Sequence, residues 1–322
     1  MRKNWIDWCK AFALYLVVLG HFSPVDNLTL WFYTFHIPLF FIISGYLCSK
    51  KEISFKATLA HNAKILLIPY AFFVSLSWCI ELIISKLTGG GQPNLLLALI
   101  GLPDGRCNPM WFIACLFAIK VIDAIHDLIE KKDKNLGWLF VITIIALSLV
   151  LTNQWLSIKR PIIWYIIAYP FFWFGKMFRS FEWSNKFLSL SNISSMWKKR
   201  VLVAIAFVCL PIAFMMINGR VDMFYCYFGI NGFLYYAFGI VASLAAMVFF
   251  KTFLDKENKL ITTFSKGSIM IVALHRLLLW PFEVYNDILV VRLLVPLVVC
   301  ILFYYPIVWT MKYVPFALGN RK

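Results

Sequence analysis

Charge is what this sequence has least of. Only 14% of its 322 residues are Asp, Glu, Lys or Arg, against 62% that are apolar, and the mean hydropathy is +0.80. A soluble domain of this length cannot bury so much apolar surface, so the soluble globular classes drop out and a polytopic membrane protein remains. Acidic residues are the scarcer sign, 15 against 31 basic ones, which leaves a net charge of +16. In a soluble protein that excess would suggest nucleic acid. Here the basic residues fall in short clusters between apolar runs, so they read as orientation signals and no nucleic-acid partner is expected.

Other absences narrow the chemistry. The eight cysteines form no CxxC and no Cys/His cluster with ligand spacing, so no metal is expected. Most sit in apolar runs as small hydrophobes; Cys107 and Cys226 fall in two outward loops, where a pairing stays open. No phosphate-binding loop, nucleophile elbow or HExxH helix is present, and the glycines at 89–91 lack the Lys-Ser/Thr that would make them more than a turn. No bound cofactor is expected. The N-terminus has no signal-peptidase site, so its first span is expected to stay as a helix. Without internal repeats or a polar domain, residues 1–322 read as a single integral-membrane domain.

What is present is a series of long apolar runs. Ten spans are expected, near 8–24, 30–48, 64–86, 109–130, 136–154, 161–179, 200–218, 228–250, 260–282 and 288–312, the third, eighth and tenth without a break. The fold class is therefore an all-α polytopic membrane protein, a bundle of about ten transmembrane helices. With both termini in the cytoplasm, the outward segments hold only Lys86, Arg106, Lys159, Arg160 and Arg220, while most other basic residues lie inside. That bias predicts an N-in, C-in arrangement. The segment 180–199 reads as an interfacial helix, and Leu95–Leu102 as a short surface or re-entrant one.

Against that apolar background a few polar residues need a reason. The first span, WIDWCKAFALYLVVLGHF, carries Asp7, Lys10 and His21. Lys10 and His21 are eleven residues apart, just over three full turns, so they project from nearly one helix face about 16 Å apart along the axis. Such a stripe is costly against lipid and is expected to face the bundle or a cavity. His21 taken alone divides evenly between a reactive group and a satisfied structural histidine. His36 opens FHIPLFFIISGYL, where Ser44 and Gly45 suit close helix packing and a packing role for the histidine is equally open. Asn108 and Trp111 mark the entry of the fourth span; Trp111 reads first as an interface anchor. Arg106 offers either a grip for an anionic or polyhydroxyl substrate or a solvated charge. His275 and Arg276 lie deep in the ninth span. Arg276 can snorkel, whereas His275 is harder to dismiss, with Glu283 and Asp287 as candidate partners.

Four segments together resemble the membrane-bound acyltransferase 3 family, most closely its fucose 4-O-acetylase-like branch. WIDWCKAFALYLVVLGH is similar to the opening Arg/Lys-x10-His motif, with Lys10 and His21 at its ends. TFHIPLFFIISGYL resembles the second-helix signature, NPMWFIACLF the later Leu-Trp-Phe block, and SKGSIMIVALHRLL the late helix that ends in a histidine. The departures are Lys10, where arginine is commoner, and the Trp8-Cys9 pair, where small or polar residues are usual. Lysine grips phosphate as a point charge without a bidentate fork.

The resemblance implies ten core helices and transfer of an acyl group, usually acetyl, from cytoplasmic acyl-CoA to an extracytoplasmic sugar of a polysaccharide or glycolipid. It also implies residence in a bacterial inner membrane. On that expectation His21 is the general base on a sugar hydroxyl or a transient acyl carrier, and Lys10, fixed by Asp7, holds CoA phosphates. His36, Arg106, Asn108, Trp111, His275 and Arg276 would then line the acceptor path. The rival from another class is a transporter or flippase for a polysaccharide unit, which would favour repeat symmetry and interrupted helices in matching halves; a catalytically dead scaffold is a second.

Overall fold

With no water in a bilayer core to satisfy N–H and C=O groups, an apolar chain must pair them within each span, and the helix does so locally. The computed structural model describes residues 3–48, 54–89, 91, 94–99, 109–154, 161–180 and 197–319, and almost all of them are helical. Among them eight segments are long and apolar enough to cross a membrane: Asn4–Phe22, Asn27–Leu47, Phe55–Thr88, Lys134–Thr152, Trp197–Asn218, Gly232–Phe253, Ser268–Tyr285 and Leu289–Tyr313. The chain is an all-α polytopic membrane protein. The other two expected spans are also helices, α7 (Trp111–Lys132) and α9 (Ile162–Ser180), long enough but more polar. Lys120, Asp123, Asp127 and Glu130 dilute the first, and Lys176 and Arg179 the second. The expected interfacial helix at 180–199 lies almost wholly outside the described residues, as does Cys107. The short helix at Leu95 is present as α6 (Leu95–Leu99).

Several expected spans are interrupted, among them the third and the tenth, which read as continuous. The second span is two helices, α2 (Asn27–Tyr33) and α3 (His36–Leu47), because Pro38 offers no N–H to the Thr34 carbonyl one turn back. Asp26 starts α2 with a capping box, taking the Thr29 N–H at 3.0 Å. In the third span, α4 (Phe55–Asn62) passes through a π-helical turn at Ala63–Leu67 before α5 (Ile68–Thr88). Pro69 withholds an N–H from Ile65, and the π-turn lies directly before it. The tenth span divides at Phe303 into α14 (Leu289–Leu302) and α15 (Tyr304–Tyr313), with Pro306 two residues into the second piece. The ninth divides at Gly267 into α12 (Lys259–Lys266) and α13 (Ser268–Leu279).

The described helices group into two compact units whose segments interleave along the chain. The first comprises Met1–Leu16, Val25–Glu52 and His126–Thr262. Its centre is the crossing of α3 and α9. A Cβ on Gly45 would overlap the Phe172 carbonyl, and one on Gly175 would overlap the Ile42 carbonyl, so each glycine admits the other helix's backbone. The cytoplasm-expected end is tied by Trp5, whose N–H donates to Asp255 Oδ1 at 3.1 Å, and by the Trp8 indole, which donates to the Lys256 carbonyl at 3.0 Å. At the opposite end α10 (Trp197–Asn218) and α11 (Gly232–Phe253) are joined by a two-stranded hairpin, β1 (Val221–Asp222) and β2 (Tyr227–Phe228). Asn218 closes its base: Nδ2 donates to the Phe228 carbonyl at 3.1 Å, and Oδ1 accepts the Asn231 N–H at 3.0 Å. Asp222 shapes the tip by accepting the Phe224 and Tyr225 N–H groups, and burial raises its carboxyl above the ordinary carboxylate value despite Arg220 at 3.7 Å.

The second unit comprises Val17–Pro24, Ile53–Ile125 and Thr263–Lys322. Here α5 packs on α13, and the buried Ser77 hydroxyl donates to the Ala273 carbonyl at 3.2 Å. The Tyr70 hydroxyl donates to the Leu99 carbonyl at 3.2 Å and holds α6 against α5. Gly267 lies against Ile307 with no room for a Cβ.

The glycine crossing makes a sharp test. Gly45→Val or Gly175→Val forces α3 and α9 apart and should sharply reduce the monodisperse, detergent-solubilised protein recovered on size exclusion. Gly91→Ala, where nothing lies within 4 Å of the added methyl, should recover wild-type amounts.

Candidate active site

The first helix, α1 (Asn4–Phe22), runs without interruption, so Lys10 and His21 keep their eleven-residue spacing on one rod. His21 falls in its last turn, two residues before Ser23 and Pro24 end the helix. It therefore stands at the end of the span rather than partway along it. A basic side chain is electrostatically suited to a helix C-terminus, so that much needs no catalytic reason.

What the helix end does not explain is the neighbour. In the second unit the His21 ring lies 5.1 Å, centroid to centroid, from the ring of His275, tilted by 46°. The two residues are 254 positions apart in sequence, brought together by α13, whose register Ser77 fixes at Ala273 two residues earlier. His21 is exposed and His275 is fully buried. His275 Nδ1 sits 2.8 Å from the Ile271 carbonyl, one turn back on its own helix. A carbonyl can only accept, so Nδ1 carries the proton. That leaves Nε2 as the second ring nitrogen, and it has no hydrogen-bond partner among the described residues. The partners foreseen for His275, Glu283 and Asp287, are both exposed; the Ile271 carbonyl takes the Nδ1 proton and His21 is the ring beside it.

The other candidates spread over both units. Asp7 is buried and Lys10 half-buried in the first unit, on the turns of α1 that Asp255 and Lys256 tie down. His36 is also in the first unit and buried, its Nδ1 donating to the Phe32 carbonyl at 2.9 Å while its ring packs 5.0 Å from that of Tyr33. Its partner is thus a carbonyl near the end of α2, one turn back along the chain. Trp111 belongs to the second unit and is only 6% exposed, so it is a core residue rather than an interface anchor. Arg276, next to His275, is half-buried. Arg106 and Asn108 lie outside the described residues.

One polar group escaped the reading of the sequence. In the first unit the buried Lys176 of α9 donates to Asp127 Oδ1 of α7 at 2.7 Å, and His126 Nδ1 is 3.7 Å from the same oxygen. His126 and Asp127 are adjacent in the sequence, but Lys176 lies 49 residues away, beyond the reach of helical periodicity. Its ammonium neutralises the carboxylate, so this group reads as a lock between two helices.

The assembly can bind and move a proton near the end of the first span: an exposed imidazole beside a buried one of defined tautomer. The acyltransferase domain of the acyltransferase 3 family matches residues 3–313. The chain is similar to the nodulation protein NolL of Sinorhizobium fredii (strain NBRC 101917 / NGR234), 31% identical over 196 residues, 55% of this chain and 49% of that protein. It is also similar to NolL of Mesorhizobium japonicum (strain LMG 29417 / CECT 9101 / MAFF 303099), 27% identical over 218 residues, 63% of this chain and 54% of that one. The chain thus spans about half the length of the curated relatives it matches. No solved structure matches it.

Burial of Trp111 carries its own expectation. Trp111→Ala should cost about 3–5 kcal/mol of packing and lower the thermal midpoint of the purified protein, whereas an interface anchor would leave that midpoint unchanged. The family match runs over nearly the full length of the sequence: the chain belongs to the acyltransferase 3 family.

Proposed function

We propose that this protein is an O-acyltransferase that moves an acetyl group from cytoplasmic acetyl-CoA to a hydroxyl of an extracytoplasmic sugar, on a surface polysaccharide or a glycolipid, in a bacterial inner membrane. The observation that carries this reading is His21: an exposed imidazole at the end of the first span, in contact with a second imidazole, in a chain of an acyltransferase family.

The chemistry needs one proton moved in each direction. His21 takes the proton of the acceptor hydroxyl, the oxygen bonds to the thioester carbonyl carbon, and the carbon–sulfur bond breaks. The proton on His21 then goes to the departing CoA thiolate, so the products are an ester and free CoA thiol. Lys10, about three turns earlier on the same helix, serves the phosphate end of the donor, and Asp7 one turn before it steadies the ammonium. The linear pantetheine arm carries the thioester along α1 toward His21. The orientation follows from the basic clusters: an N-in, C-in bundle of ten helices, counting α7 and α9, puts Lys10 toward the cytoplasm and His21 toward the outer side. His36 and Trp111 support the walls, while Arg276, Arg106 and Asn108 serve the acceptor.

The test uses the native host. Acetate on surface polysaccharide should disappear when the gene is deleted and return with the wild-type chain but not with His21→Ala, at equal amounts of protein in the membrane. Full acetylation by His21→Ala would remove His21 from the chemistry. Unchanged acetate with reduced export of polymer would instead make the protein a transporter.

A further inference from the structure

The hairpin between α10 and α11 has no task in the acyl-transfer reading, and its two faces differ. Val221 pairs with Phe228 and Asp222 with Tyr227, so successive side chains take opposite faces. Val221 and Phe228 are buried. On the other face the Arg220 guanidinium lies over the Tyr227 ring at 4.6 Å, and Asp222 Oδ2 stands 3.7 Å from Arg220 Nη2. Tyr227 is 48% exposed, and Tyr225 at the turn is 56% exposed. The turn that presents them is fixed from within. Asp222 Oδ1 accepts the Phe224 and Tyr225 N–H groups at 3.1 and 3.2 Å. The fully buried Trp164 stacks on Phe224, centroids 5.4 Å apart, and its indole N–H donates to the Phe224 carbonyl at 3.2 Å. Cys226 is held at φ 61°, a left-handed conformation that a residue with a Cβ adopts only where its surroundings impose it. Because α10 ends at Asn218 and α11 begins at Gly232, the exposed rings stand beyond both spans, at the end expected to face outward. An anchor in the interface offers its ring to lipid, whereas Tyr227 carries a cation on its ring, which hydrocarbon disfavours.

We propose that this face of the hairpin binds a sugar unit of the acceptor chain, a neutral pyranose packed on the exposed rings of Tyr227 and Tyr225 with Arg220 beside it. The C–H groups of a pyranose are weakly positive and pack on the electron-rich face of an aromatic ring. Its hydroxyls accept hydrogen bonds from a guanidinium, whose planar fork of donors suits two neighbouring oxygens. At 3.7 Å the Asp222 contact is longer than a hydrogen bond, so Asp222 balances the charge of Arg220 without taking up its donors. The ligand then needs no charge of its own. A chain-like acceptor can be gripped several sugars away from the hydroxyl that reacts, so the hairpin needs no part of the reacting group. Its effect is to hold acceptor near the enzyme, which lowers KM for the acceptor and leaves the maximal rate alone. This inference rests on the acyltransferase reading for its kinetic consequence, but not for the binding of sugar.

Binding and transfer are measured separately. Fluorescently labelled oligosaccharides cut from the host's surface polysaccharide are titrated into the purified full chain, each variant first checked for monodispersity on size exclusion. Tyr227→Leu keeps an apolar side chain that lipid would accept but removes the flat ring, and it should weaken binding about tenfold. Arg220→Met keeps the length and removes the donors, and it should weaken binding by a similar factor of about ten. Tyr227→Phe keeps the ring and should bind within about twofold of wild type. With the same oligosaccharides and radiolabelled acetyl-CoA, Tyr227→Leu should raise the KM for oligosaccharide about tenfold and change the maximal rate less than about twofold. Binding by Tyr227→Leu or Arg220→Met equal to wild type would overturn the proposal, and so would a Tyr227→Phe as weak as Tyr227→Leu. A wild-type chain that binds no oligosaccharide would overturn it too, leaving the rings as a belt at the membrane interface. If the wild-type chain binds oligosaccharide but transfers no label to it, the acyltransferase reading fails by itself and the sugar site stands.

Discussion

Everything in this protein follows from the need of polar groups in an apolar medium to find partners within the chain. The backbone meets that need by forming helices. Polar side chains meet it by leaning on those helices: His36 on the Phe32 carbonyl, His275 on the Ile271 carbonyl, Thr152 on the Ser148 carbonyl. Each contact reaches one turn back along the chain. For a serine or threonine the consequence is local. For a histidine it assigns the proton to Nδ1 and leaves Nε2 as the only group still to be used. A packing requirement thereby sets the chemical form of a side chain that stands beside the proposed base.

Close approach is the second consequence. Helices in lipid gain little from burying more hydrocarbon, so they are held by backbone-to-backbone fit and by a few polar locks. The mutual seating of Gly45 and Gly175 is the first kind, and the Lys176–Asp127 pair is the second. Ser77 on the Ala273 carbonyl sets the register of α13 in the other unit, and with it the place of His275. Neither kind of fixed point needs a catalytic role to be valuable; within the second unit, Ser77 makes the position of His275 reproducible.

Much of this was legible in the residues and some was not. The apolar runs disclosed the all-α membrane fold because hydropathy over about twenty residues is a strong signal. The breaks were harder. Pro38, Pro69 and Pro306 stand in plain sight, but a proline inside a span is compatible with a kink, a π-turn or a full interruption, and only packing chooses. α7 and α9 read as spans like the other eight, but their acidic and basic residues make them more polar. At the site, the spacing of Lys10 and His21 is written in the sequence because both lie on one helix. The nearness of His21 to His275 is not, since 254 residues separate them and helical periodicity says nothing at that range. Trp111 looked like an anchor because tryptophan favours interfaces, yet burial decided otherwise. His36 keeps its two readings, and the structure adds the Phe32 carbonyl as the partner of its Nδ1.

The account stands on the claim that an acyl group passes from a thioester to a hydroxyl through this chain. The direct measurement uses purified full-length protein in sealed vesicles, with radiolabelled acetyl-CoA on the cytoplasmic side and extracted host glycan on the other. The account predicts label in the glycan as an alkali-labile ester, appearing only when both substrates are present. Passage of unlabelled glycan across the membrane with no ester formed would contradict it.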